Sequence, residues 1–236
     1  MTYFISDVHG EYDLFLELLD KINFSDGDVL YVLGDMVDKG ERSVKVVDFI
    51  RETPNIKAIV GNHEYSFLKR YHGLMRAFKD GDDIDSVLCE LKKFFPGDGE
   101  RLTWKTVDYI EALPYYIETD DFICVHAGVE TDGNGKILPM RSQIPEAMVY
   151  SRNFKDDDFN LSPQEKTVLF GHTPCSYRNG TGEFVKTPKR GAIGPKTLCD
   201  YSKIQLDCGV FLTDMLGILR FEDMKEFYLK SNRAKQ

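Results

Sequence analysis

The chain has no closely paired cysteines. Its five, Cys89, Cys124, Cys175, Cys199 and Cys208, are scattered with no C-x-x-C spacing. An odd, unpatterned count reads as reduced thiols in a cytoplasmic protein and argues against a disulfide framework. No apolar run approaches the length of a membrane span. Met1-Thr2 leads straight into Tyr3-Phe4-Ile5, without the charged start and long apolar stretch of a signal peptide. No G-x-G-x-x-G follows a strand and there is no G-x-x-x-x-G-K-[ST], so a Rossmann-type or P-loop nucleotide site has no support. Positive charge is in deficit, with 30 basic against 39 acidic residues and a net charge of -9. That balance argues against nucleic acid or an anionic membrane as partner. An anionic substrate stays open, because a bound metal reverses the local field. Histidine is scarce too, five in 236 residues, which makes its placement informative.

What is present is a core-forming chain with 42% hydrophobic residues, enough for one large domain or two small ones. Strand-like and helical patterns alternate from the start. "TYFIS", "DVLYVL" and "IKAIV" read as strands, and "EYDLFLELLDKI", "SVKVVDFIRE" and "EYSFLKRYHGLMRAF" as helices, with Ser43 a candidate N-cap. This order implies parallel strands with right-handed crossovers. Residues 84–113 read as charged amphipathic helices, and "DFICV", "KTVLF" and "KIQL" return to strand. The acidic stretches Asp80–Asp85 and Lys155–Asp158 read as solvated turns or helix starts.

Each of these six apolar runs ends in a polar group. Phe4-Ile5 leads to Asp7 and His9, Leu33 to Asp35 and Asp38, Val60 to Asn62-His63-Glu64, Val125 to His126, Phe170 to His172, and Leu206 to Asp207. Ligand sites in α/β sheets lie beyond the carboxyl ends of the strands. Four of the five histidines sit there beside glycines; the fifth, His72, lies within a helix pattern and reads as a surface or packing residue. One strand-end histidine is more often hydrogen-bonded structure than a ligand, but four of five form a pattern. Imidazole nitrogens with carboxylate and amide oxygens suit manganese, iron or zinc. A carboxylate shared by two such ions suits phosphoryl displacement.

The blocks Asp7-Val8-His9-Gly10, Gly34-Asp35-Met36-Val37-Asp38-Lys39-Gly40 and Gly61-Asn62-His63-Glu64 resemble the D-x-H-G, G-D-x-V-D-R-G and G-N-H-E blocks of calcineurin-like metallophosphoesterases. The likeness is greatest to the serine/threonine protein phosphatase branch with its small bacterial and phage members. His126-Ala127-Gly128 and Gly171-His172-Thr173-Pro174 match the two later histidine blocks. The resemblance implies a single metallophosphoesterase domain over residues 1–236. It implies a four-layer α/β/β/α sandwich with two mixed sheets and a dinuclear metal site at the strand ends. By position, Asp7 and His9 bind a first divalent ion, Asp35 bridges, and Asn62, His126 and His172 bind a second, with manganese expected and iron or zinc as alternatives. A bridging hydroxide attacks phosphorus, His63 is the general acid and Asp38 orients it. Arg152, Lys39 and Asn62 bind phosphate. Lys39 departs from the family arginine, keeping the charge but losing the planar two-pronged grip.

The presence of Asp38 and Glu64 favours a serine/threonine protein phosphatase, with a phosphorylated protein or peptide as partner. The alternative is a symmetrical dinucleoside polyphosphate hydrolase, whose members typically lack a carboxylate at the first position and carry Asp at the second. Two segments, residues 131–160 and 175–203, resist a regular reading. The second carries six basic residues against Glu183 and Asp200, and its place after the His172 block suggests a basic flap that contacts a phosphopeptide.

Overall fold

The computed structural model describes residues 1–79, 82–95 and 97–231. Asp80 and Gly81 of the acidic stretch, and residues 232–236 of the expected domain, lie outside the described residues. The first half runs β1 (Thr2–Ile5), α1 (Tyr12–Lys21), β2 (Val29–Val32), α2 (Ser43–Glu52), β3 (Ile56–Ala58) and α3 (Asn62–Ala77). Helices α4 (Ile84–Lys92) and α5 (Trp104–Glu111) follow, then β4 (Tyr116–Glu118), β5 (Phe122–Val125), α6 (Pro145–Tyr150) and β6 (Thr167–Phe170). The chain continues through α7 (Ser176–Asn179), β7 (Val185–Pro188), β8 (Tyr201–Gln205), α8 (Val210–Thr213), β9 (Met215–Arg220) and β10 (Glu226–Lys230).

Two five-stranded sheets form, in the orders β10-β9-β1-β2-β3 and β4-β5-β6-β8-β7. Both are mixed. β1, β2 and β3 pair in parallel, as do β5, β6 and β8, while β9, β10, β4 and β7 pair antiparallel to their neighbours. Side chains alternate faces along a strand, and this alternation sorts the core into layers. Tyr3, Ile5, Leu30 and Val32 pack with Phe15, Leu18 and Val47 of α1 and α2. The intervening Phe4, Tyr31 and Leu33 meet Phe122, Cys124, Leu169 and Ile204 of the second sheet. On that sheet's far side Ile123, Val125, Val168 and Phe170 pack under Met148 of α6 and under Phe154 and Leu161. The expected sandwich is present, its fourth layer built largely of irregular chain.

Six strands were expected and ten occur among the described residues. β4 has three residues, and β7 ends in Pro188. β9 and β10 pair antiparallel, and β9 is interrupted by Gly217, where a Cβ would lie 2.6 Å from the Phe184 ring. Each is too short or too broken for periodicity to detect.

The basic segment 175–203 is no free flap. Arg178 pairs with Asp157, and Lys186 of β7 pairs with Glu226 of β10, bridging the two sheets. Lys203 is 2% exposed and donates to the carbonyls of Phe154, Asp156 and Phe159 at 2.9, 2.8 and 2.7 Å. Ser43 opens α2 without capping it; its hydroxyl accepts from the Asp38 N–H at 3.0 Å.

Candidate metal centre and active site

The parallel strands of both sheets end at one place. There the structure gathers two groups of ligand-capable side chains, His9 with Asp35 and His63, and Asp35 with His126 and His172. Asp35 belongs to both. Asp7 joins the first, its Oδ1 3.8 Å from His9 Nε2. Asn62 joins the second, its Oδ1 3.0 Å from His126 Nε2 and 2.7 Å from His172 Nδ1.

Close approach of backbone to side chain makes this crowding possible. A Cβ on Gly61 would lie 2.2 Å from Asp35 Oδ1, and one on Gly171 would lie 1.9 Å from Ser6 Oγ. The turns are also strained. Asp7, His9, Asp35, Asp38, Lys39 and His172 all have positive φ, between 46° and 70°. Such backbone costs on the order of 1 kcal/mol or more at each non-glycine residue and collects at functional sites.

Hydrogen bonds fix which nitrogens face inward. His9 Nδ1 lies 3.0 Å from the Val37 carbonyl, and His126 Nδ1 lies 2.7 Å from the Leu33 carbonyl. Each ring therefore turns its Nε2 toward the carboxylates. His126 Nε2 faces Asp35 Oδ2 at 3.4 Å as well as Asn62 Oδ1. One imidazole nitrogen and two oxygens thus converge on a position that either a proton or a metal cation must fill. Burial opposes protonation of His126, but Asp35 and Asp7 outweigh it and push its pKa to about 10. His172 Nε2 is buried with no hydrogen-bond partner. Burial raises Asp7 to about 6, while at Asp35 the surrounding imidazoles outweigh burial and hold the carboxylate ionised. This donor set suits divalent ions with mixed nitrogen and oxygen ligands.

The remaining candidates sit around this centre. His63 Nδ1 is 2.7 Å from Asp38 Oδ2, and its Nε2 is 3.8 Å from Asp35 Oδ2. Lys39 Nζ lies 2.7 Å from His9 Nε2. Arg152 is exposed and lines the same cleft as His9, Lys39 and His172. His72, as expected, is peripheral and lies 2.9 Å from Glu111.

Two buried carboxylates carry structure that sequence reasoning missed. Glu64 is wholly buried and accepts from the N–H groups of Asp35, Met36, Val37 and Gly61, at 2.8 to 3.0 Å. It shapes the turn that carries Asp35. Asp207, at the end of the sixth strand, accepts from the Gly209 N–H at 2.7 Å and lines the cleft. Burial and the neighbouring Asp7 carboxylate raise its pKa well above the usual range. Its place in the series of polar strand ends was the available signal.

Among known proteins, the calcineurin-like phosphoesterase family profile matches residues 2–209. The symmetrical bis(5'-nucleosyl)-tetraphosphatase of Vibrio campbellii is 31% identical over 130 residues, covering 54% of this chain and 44% of that protein. The asymmetrical bis(5'-nucleosyl)-tetraphosphatase of Bacillus velezensis is 25% identical over 194 residues, covering 72% of this chain and 76% of its own length. The match thus spans less than half the length of the Vibrio relative. A solved structure provisionally described as a diadenosine tetraphosphatase superposes with a TM-score of 0.65 at 18% identity, covering 98% of this chain and 94% of that one. At that identity it speaks for the fold alone. No helix among the described residues is long and apolar enough to cross a membrane.

These findings correct two expectations. The curated relatives are named as dinucleoside tetraphosphatases, which overturns the serine/threonine protein phosphatase assignment and with it the phosphorylated protein or peptide partner. The physical reason is plain in the site. Glu64, used as a discriminator, accepts hydrogen bonds from backbone only, and Asp38 is engaged with His63, so neither is placed to distinguish substrates. Fold, strand-end ligand clusters and family profile agree that the chain belongs to the calcineurin-like phosphoesterase family, as a metal-dependent phosphoesterase.

Proposed function

We propose that the chain, acting as one domain, hydrolyses dinucleoside tetraphosphates at the central phosphoanhydride, releasing two nucleoside diphosphates. The observation that carries the chemistry is the convergence of His126 Nε2, Asn62 Oδ1 and Asp35 Oδ2 on one position fit for a cation. The substrate class rests on the names of the curated relatives. In this reading Asp7, His9 and Asp35 hold one divalent ion, and Asn62, His126 and His172, with Asp35 shared, hold a second. Manganese is the first candidate, and the setting is cytoplasmic. Bound ions would supply Lewis acidity and an activated water.

The chain's own residues do the rest. Asp38 accepts a hydrogen bond from His63 Nδ1–H and orients the ring, leaving Nε2 to deliver a proton to the departing diphosphate oxygen. Water adds to one phosphorus, the bridging P–O bond breaks, and the proton goes to the leaving oxygen. Arg152 forms no hydrogen bond or ion pair among the described residues and is available to a phosphoryl oxygen. Lys39 becomes available once His9 has another cation, since its ammonium otherwise occupies the His9 lone pair. The Asn62 amide completes the phosphate grip.

Product analysis tests the reading. Diadenosine tetraphosphate incubated with the manganese-loaded protein should give ADP alone. ATP with AMP, or no turnover, rejects it. Asp35→Asn should lower the metal content at both positions, and His172→Ala at one.

A further inference from the structure

We propose that Phe211, Leu212 and Tyr177 form a nucleobase-binding wall beside the metal centre. They share a cleft of about 290 Å³ with His9, Lys39, Arg152 and His172. All three are exposed, by 41%, 58% and 68% respectively. Water normally disfavours three large apolar groups gathered in this way, and here they are presented deliberately. Helix α8 turns Val210 inward and the next two residues outward. Its base is rigid. Gly209 takes φ 68°, and a Cβ there would meet Pro174 Cβ at 2.8 Å. Thr213 Oγ1 donates to the Cys208 carbonyl at 2.9 Å. Tyr177 rides on α7, which the Arg178–Asp157 pair ties down.

The occupant follows from what lies at each end of the cleft. One side offers the Lys39 and Arg152 cations, which favour an anion. The other offers flat apolar surface within about one ring of the first, the Phe211 and His9 ring centroids being 6.1 Å apart. A ligand that satisfies both joins a polyanion to an aromatic plane, as a nucleoside polyphosphate does. Base-on-aromatic stacking is favourable for every base, so the wall selects for a nucleobase without choosing which.

This inference rests on the proposed dinucleoside tetraphosphatase reading, and the test separates the two. The manganese-loaded protein and its Phe211→Ala, Tyr177→Ala and Phe211→Trp variants are assayed on diadenosine tetraphosphate and on inorganic tripolyphosphate, which has no base. The ratio of kcat/KM for the dinucleotide over tripolyphosphate should fall about tenfold in the alanine variants, through KM, and return with Phe211→Trp. A ratio unmoved by both alanine changes overturns the wall and leaves the proposed function standing. A parent protein that cleaves tripolyphosphate but not the dinucleotide overturns the proposed function and the wall together.

Discussion

The two sheets solve the same problem with opposite charges. At the end of the first, the buried carboxylate of Glu64 accepts from four backbone N–H groups and shapes the turn that carries Asp35. In the second, the buried ammonium of Lys203 donates to three backbone carbonyls and shapes the turn after Arg152. Both charges are taken out of water, which is costly unless every lone pair or proton is used. Each is therefore fully engaged with main chain and has nothing left for a substrate. A charge in a sequence has a functional reading only when the fold leaves it short of partners, as it does Arg152.

The comparison can be broken from either side, and the largest effect is expected at Glu64. In Glu64→Gln one carboxylate oxygen becomes an amide that cannot accept, so two of the four N–H groups lose their partner. Stability should fall by about 3–5 kcal/mol in chemical denaturation, and metal content should fall with it. Loss of stability with full metal loading would separate the clamp from the site. Next comes Lys203→Met, which leaves the Phe154 and Phe159 carbonyls unpaired and the Asp156 carbonyl with only the Phe159 N–H, and should cost about 2–4 kcal/mol. Metal content should stay normal, while KM for the dinucleotide rises because Arg152 sits two residues before Phe154. Unchanged KM would confine Lys203 to stability.

The two clamps should also differ in pH response. Burial, with Arg178 adding to it, lowers Lys203 to about 8, below its ordinary value of 10.5. The folded state thus disfavours the ammonium relative to the unfolded chain, fully at pH below 8. As pH rises from 8 toward 10.5 the penalty is relieved, so the parent should gain stability over Lys203→Met in that window. Denaturant midpoints of both proteins at pH 7.5 and 9.5 test the sign, and a parallel response of the two would refute it. The smallest effect belongs to an exposed pair outside both clamps. Asp223, held down to about 2 chiefly by its Arg220 hydrogen bonds, contributes above pH 3.8, and that contribution fades as pH falls through 2. Asp223→Asn should shift stability by less than about 1 kcal/mol at neutral pH, measured as a change in Tm.

Much of this was legible in the sequence because it is local. The βα alternation and the polar end of each parallel strand are short-range patterns, and they brought Asp7, His9, Asp35, Asn62, His126 and His172 to one place. What stayed hidden depends on distant chain. Glu64 reads as a catalytic-block residue until the N–H groups of Asp35, Met36 and Val37, nearly thirty residues away, are seen to surround it. Lys203 reads as part of a basic run until the carbonyls of the 154–159 turn close over it. The edge strands β7, β9 and β10 owe their conformation to pairing, which no short window records. Substrate class was misjudged for a related reason, since the residues used to decide it do not face the cleft.

The positive-φ backbone at Asp7, His9, Asp35, Asp38, Lys39 and His172 bears on any campaign of directed evolution for heat resistance. Glycine relaxes such backbone, and at Asp38 and Lys39, which are exposed, no buried side chain is lost, so these two codons are where random libraries find cheap thermal gains. Every such gain removes the proposed partner of the acid His63 or a proposed phosphate-binding cation. Selection on melting temperature alone should therefore enrich hardened but inert clones, and a turnover screen has to be run alongside it.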